Sequence, residues 1–190
     1  MEKIDFQGKT DPVILIESLE LMGFSEADIK EKSGLLKERY FFHLEENILK
    51  YEVLLFPGIV EILEALVSRD DVILGLLTGN FYESAQIKLR SHELNRFFSF
   101  GAFGDDAPVR NLLPGIAREK ILSLYGIEVN FKDTIIIGDT VYDIRCARHA
   151  GAVSVAVGTG WTDHEILLGE NPDHFFRDLS DRERFMKLLD

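Results

Sequence analysis

Up to residue 56 the apolar positions recur with a helical period. Leu15, Leu19 and Met22 form one stripe that Gly23 closes. Asp11-Pro12 supplies the start, with Thr10 or Asp11 as N-cap and Pro at the first helical position. Ser25-Glu-Ala-Asp28 reads as a capping box opening a short second helix. Leu36, Tyr40, Leu44 and Ile48, four apart, mark a third. After Phe56-Pro57-Gly58 helices alternate with strands. Ile59, Ile62, Leu63 and Leu66 make an amphipathic helix, and residues 72–77 are a strand by their continuous apolar character. Helix is expected at 82–94, 112–125 and 141–149, and strand at 97–103, 134–137 and 153–157. Gly126 and Gly151 close two of the helices.

Such alternation predicts an α/β protein with a doubly wound, Rossmann-like parallel sheet over residues 57–190. A small all-helical unit, residues 1–56, precedes it. Ligands of these sheets sit at the carboxyl ends of the strands, so the residues after Leu77 and Ile137 carry the functional expectation.

Composition narrows the classes. The chain has 190 residues, a single Cys and a formal net charge of -12. One Cys excludes a disulfide framework and a cysteine-based zinc site. The acidic balance argues against nucleic-acid and anionic-membrane partners, which need clustered Lys and Arg. It leaves room for one small phosphate in a local positive pocket. The first residues lack the basic and apolar regions of a signal peptide, and no apolar run could span a bilayer. The cytoplasm is the expected compartment.

Ile137 is followed by Gly138-Asp139-Thr-Val-Tyr-Asp143. The glycine turns the chain off the strand, and the two aspartates, four apart, can face one pocket. Paired carboxylates at a strand end suit Mg²⁺, a hard cation that prefers oxygen ligands. The plainer alternative makes Asp139 a helix cap and Asp143 a solvated face residue. Leu77 is followed by Thr78-Gly79-Asn80, where a hydroxyl and a helix N-terminus can hold a phosphate oxygen. The alternative is a simple helix cap. Arg110, after the following strand, could neutralise phosphoryl charge or pair with Asp105 or Asp106. Lys120 is a second candidate for that basic role. Arg39 and His43 are expected on a solvated face, Cys146 in the core, and Trp161 closing a loop near the site edge.

Taken together, these residues resemble the haloacid dehalogenase superfamily of phosphohydrolases. The likeness rests on the strand with Thr78-Gly79-Asn80, the basic residue after the next strand, and Gly138-Asp139 through Asp143. Ala150-Gly151 and Val157-Gly158-Thr159-Gly160 match the family's last core strand and loop, and Phe56-Pro57-Gly58 the return from a helical cap domain. The resemblance implies that Thr78 binds the transferring phosphoryl group, with Gly79 and Asn80 beside it. Arg110 takes a position more often held by Lys. Asp139 binds Mg²⁺ with support from Asp143. It also implies an aspartyl-phosphate intermediate and a small phosphorylated metabolite as substrate, as in phosphoglycolate phosphatases.

One element departs from the family. Its nucleophile lies in an Asp-x-Asp-Gly-Thr-like motif after a first core strand, and this sequence has none. The nearest segment, Asp5-Phe-Gln7-Gly8-Lys-Thr10, has Gln7 where the second Asp belongs. Phe6 to Asp11 instead resembles the loop that enters the cap helices. The expectation is a chain that starts after the catalytic strand, through truncation, a misplaced start or degeneration. In the family that strand lies between those ending here at Leu77 and Ile137. Without it these two must pair directly, or leave backbone groups unpaired and the fold weakly stable. The alternative function is a non-catalytic relative that binds a phosphorylated ligand or a protein partner. A receiver-like module is a third, disfavoured by the helical segment before Pro57.

Overall fold

The computed structural model describes residues 6, 8–51 and 53–189, so Asp5 and Gln7 lie outside the described residues. Two helices open the chain, α1 (Asp11–Leu21) and α2 (Glu26–Ile48). The capping box is present: Asp28 N–H donates to Ser25 Oγ at 3.2 Å, and Ser25 N–H donates to Asp28 Oδ2 at 3.2 Å. The two helices expected after Ser25 are one helix of 23 residues. Ser33 and Gly34 are the poor helix formers between them, and a glycine costs only about 1 kcal/mol. Burial on one face, by Ile29, Leu36, Tyr40, Leu44 and Ile48, carries the helix through.

The α/β part follows as α3 (Ile59–Val67), β1 (Leu76–Leu77), α4 (Tyr82–Arg90), β2 (Gly101–Ala102), α5 (Leu113–Tyr125), β3 (Ile135–Gly138), α6 (Val141–Ala150), β4 (Val153–Val157), α7 (His164–Gly169), β5 (His174–Phe176) and α8 (Arg182–Met186). All ladders are parallel. Both faces of β4 are covered, as its alternation requires. Val155 and Val157 join Ile62 and Leu66 of α3 with Phe176 and Phe185, while Ala156 packs with Ile144 of α6 and Leu167 of α7.

The strands form two sheets, β1-β2 and β3-β4-β5. No ladder joins β1 to β3 among the described residues, so the strands ending at Leu77 and Ile137 do not pair directly. Leu76 and Thr78 donate to Phe100 and Ala102 of the β2 strand, which turns the backbone groups of Leu77 to the other edge. Thr134 accepts from Val153, which turns Ile135 and Ile137 of β3 outward in the same way. Ile137 is 39% exposed although it lies within a strand. Apolar contact across the gap includes Leu77, which packs on the cluster of Ala102 and Leu113 and on the cluster of Ile136 and Ala147, and Val72 and Leu74, which pack on the cluster of Val155 and Phe176.

Two strand expectations shorten accordingly, and one strand is additional. The strand expected at 72–77 is a ladder only at Leu76–Leu77, and that at 97–103 only at Gly101–Ala102. A ladder needs a partner at every residue, and β1 has one on a single side. Leu94–Phe97 is a 3₁₀ turn that buries Leu94 and Phe97 against Leu63. β5 was not expected; its three residues are too few to show a period.

Candidate active site

Thr78, Gly79 and Asn80 leave β1 at its carboxyl end, and Thr78 Oγ1 accepts from Asn80 N–H at 3.2 Å. That turn leaves the hydroxyl hydrogen free to donate. Arg110 enters from a 3₁₀ turn, Arg110–Leu112, that follows β2. A Cβ on Gly79 would lie 3.5 Å from Arg110 Nη1 and 2.9 Å from Lys9 O, so glycine lets the guanidinium and the chain before α1 close on this turn.

Arg110 Nη2 donates to Asp143 Oδ1. Asp143 also accepts from Thr140 N–H at 3.0 Å and Thr140 Oγ1 at 2.8 Å through its second oxygen. It therefore closes the capping box of α6 and neutralises Arg110 at once. Arg110 Nε is buried without a partner among the described residues, so the guanidinium keeps a donor in reserve. Lys120 does not join this group. It donates to Gly101 O at 2.9 Å and Asp106 Oδ2 at 2.7 Å, holding the end of β2.

Asp139 is the half-buried acid next to this pair. Burial first, and then the charge of Asp143, push its carboxyl above the usual carboxylate value, with a hydrogen bond from its own backbone and Arg110 pulling the other way. A Cβ on Gly160 would strike the Asp139 carboxylate, so the loop after β4 closes over it. An acid whose ionisation is held back by burial and by a like charge suits a bound cation. Of the two aspartates expected at a cation, Asp139 carries the fewer hydrogen bonds, while Asp143 accepts from Arg110 and Thr140. Among the described residues no cluster of three acidic, His or Cys side chains forms a complete metal cage.

The helix N-terminus after Asn80 differs from the expectation of free donors. Phe81 N–H donates to Asp11 Oδ2 at 3.0 Å and Tyr82 N–H to Asp105 Oδ2 at 2.7 Å. Two carboxylates of the chain itself hold the positive end of α4. The Asn80 side chain is also committed, donating to Asp11 Oδ1 at 3.3 Å and accepting from Lys88 Nζ at 2.7 Å. The expected site residues left with polar atoms outside these caps are therefore Thr78, Arg110 and Asp139, beside the Gly79 turn. Asp11, Ser84, Lys88 and Asp105 were not singled out as site residues from sequence. Asp11 reads there only as a helix start, and its partners lie some seventy residues away.

The remaining expectations divide. Cys146 is fully buried, and burial pushes its thiol up to about 11. Arg39 and His43 are exposed on α2. Trp161 stands wholly in solvent rather than closing a loop. No helix among the described residues is long and apolar enough to cross a membrane.

A parallel α/β core with a helical unit beside it, and an Arg between two strand-end motifs, define a Rossmann-like α/β protein. The chain belongs to the haloacid dehalogenase-like hydrolase family, whose model matches residues 12–157. It is 28% identical over 129 residues to a phosphoglycolate phosphatase of Synechococcus elongatus, covering 67% of this chain and 57% of the relative. It is 31% identical over 138 residues to a phosphoglycolate phosphatase of Agrobacterium fabrum, covering 73% and 55%. The pyrophosphatase PpaX of Listeria monocytogenes is 28% identical over 170 residues, covering 88% and 72%. The chain thus spans about half the length of the two phosphoglycolate phosphatases. In fold it superposes on a solved Haemophilus somnus structure with a TM-score of 0.69 (22% identity, 95% of this chain, 79% of the other). A Pseudomonas syringae hydrolase gives 0.67 (21%, 96%, 80%).

Proposed function

We propose that this chain carries the phosphoryl-binding and charge-neutralising part of a Mg²⁺-dependent phosphatase site that takes a small phosphorylated metabolite. The observation that carries the reading is Arg110: it is held by Asp143, lies against the Gly79 turn, and keeps a buried donor without a partner. Thr78 Oγ1 would donate to one phosphoryl oxygen, and Arg110 would offset the charge that builds on the oxygens as the P–O bond breaks. Asp139 would hold Mg²⁺ together with phosphate oxygens and water, a coordination that asks for only one or two protein carboxylates. When bound, the ion supplies Lewis-acid stabilisation of the phosphoryl oxygens. The likeness to two phosphoglycolate phosphatases and a pyrophosphatase supports a compact phosphorylated substrate. The net charge of -12 supports a small ligand over nucleic acid or an anionic membrane.

A second reading is binding without turnover. The described residues offer groups that bind and neutralise. Asp143 is held by Arg110 and Thr140, and Asp139 is assigned to the cation, so this reading takes neither as the nucleophile. The test is phosphate release from an aryl phosphate with Mg²⁺, run beside calorimetric titration with inorganic phosphate. The chain, Arg110→Ala, Asp139→Asn and Asp5→Asn are compared. Phosphatase function requires turnover that Arg110→Ala and Asp139→Asn abolish, and loss in Asp5→Asn would make Asp5 the nucleophile. Phosphate binding that needs Arg110, with no turnover, selects the second reading. Neither turnover nor binding refutes both.

A further inference from the structure

Asn80 is fixed at both ends of its amide. Lys88, two turns along α4, donates to its oxygen at 2.7 Å, which obliges its nitrogen to face Asp11 at 3.3 Å. Asp11 is the first residue of α1, in the helical unit, whereas Asn80 and Lys88 belong to the α/β core. Asp11 makes three further bonds to the same short stretch. Its N–H donates to Gly79 O at 2.7 Å, and its Oδ2 accepts from Phe81 N–H at 3.0 Å and Ser84 Oγ at 2.8 Å. Ser84 is fully buried, and Tyr40 of α2 lies close enough for its hydroxyl to feel both Ser84 and the Asp11 charge. Burial lowers the Lys88 ammonium and the Asp11 charge raises it back in part, as expected for an ion pair bridged by one amide.

This is more than a helix cap needs. A cap satisfies one or two amides. Here the Asp11 N–H holds the Gly79 carbonyl, its carboxylate holds the helix start and the Asn80 amide, and a half-buried cation holds that amide from behind. Every bond ends within Gly79–Ser84, directly after Thr78.

We propose that Asp11, Asn80 and Lys88 form a positioning relay by which the helical unit sets the geometry of the Thr78–Asn80 turn, and hence its affinity for a phosphoryl group. The inference rests on the reading of that turn as phosphoryl-binding. None of the three touches the anion; they act through the turn. Removing Asp11 leaves Lys88 without a counter-charge and the Asn80 amide free to rotate. Removal of Lys88 leaves Asn80 Oδ1 and the Asp11 charge uncompensated. Both changes release the same turn, so their effects share one pathway.

The test is calorimetric titration of the full chain with inorganic phosphate, in Asp11→Asn, Lys88→Met, their double variant and Arg90→Ala. The last, also on α4, loses only an exposed ion pair with Glu45 of α2. Each relay variant is expected to bind phosphate about tenfold more weakly. The double variant should be no weaker than the worse single, and Arg90→Ala should match the parent. A residue that merely stabilises the fold would lower the melting temperature and leave affinity unchanged well below it. Ser84→Ala removes one donor to Asp11, keeps both charges and serves where Asp11→Asn does not fold; a several-fold loss is expected. Folded relay variants that bind as tightly as the parent, or losses that multiply in the double variant, overturn the relay. If the parent itself binds no phosphate, the phosphoryl reading fails on its own. The relay is then decided by amide exchange at Asn80 and Phe81. Exchange should quicken in both single variants, and unchanged exchange overturns it.

Discussion

Arg110 and Asp143, joined by a hydrogen-bonded ion pair, belong to different sheets: Arg110 follows β2, and Asp143 lies on the helix that follows β3. Their side chains are only 18% and 8% exposed. The pair therefore links the half that carries Thr78 to the half that carries Asp139. Arg110→Ala should cost about 3 kcal/mol, the low end for breaking a buried pair, because Thr140 still serves Asp143. Arg110→Lys should cost less, keeping the charge and losing the fork. Urea unfolding of both variants checks the order; equal stability of Arg110→Ala and the parent would contradict it.

The acid Asp139 gives a pH dependence of known sign. Its folded carboxyl lies above the ordinary value of 3.8, mainly through burial. Between the two values the folded chain keeps a proton that the unfolded chain has released. Stability attributable to this group is therefore greatest at low pH and falls as pH rises through that window. Asp139→Asn should be at least as stable as the parent at neutral pH, with the difference vanishing below the unfolded value. Denaturant midpoints at pH 7 and at acid pH measure it, and a clearly less stable Asn variant at pH 7 would be the wrong sign.

Cys146 is buried, and its thiol is pushed up to about 11. The thiolate is the reactive form, so a maleimide or disulfide reagent should label Cys146 slowly in the native chain. Labelling should accelerate with denaturant in parallel with global unfolding. Rapid labelling of the native chain would show that α6 opens separately.

Leu77 is one apolar bridge between the two halves. Leu77→Ala should destabilise by about 2 kcal/mol, the low end for a leucine truncation at a half-buried position. It should also lower the cooperativity of unfolding, read as non-coincident transitions by fluorescence and circular dichroism. A single sharp transition with unchanged midpoint would refute the bridge.

Much of this architecture is legible where a signal is local. β4 spans the residues expected because a β-branched and apolar run, broken only by Ser154, lies between Gly151 and Gly158. α6 ends at Gly151, and α5 is capped by Gly126, each in the left-handed conformation a helix exit favours. Thr78, Arg110, Asp139 and Asp143 could be proposed from strand ends alone. Asp11 and Lys88 could not, because a carboxylate's reach across the chain leaves no trace in its neighbours. The shortness of β1 was equally hidden, since Val72 to Leu77 look the same with one partner or two.

The two separate ladders also bear on how the fold opens. Each adjacent strand pair is closed by a connection of one helix and its turns, so each ladder pays a modest loop-closure cost. Hydrogen exchange on the native chain should then sort β1-β2 and β3-β4-β5 into two kinetic classes, a protein whose sheet opens in instalments.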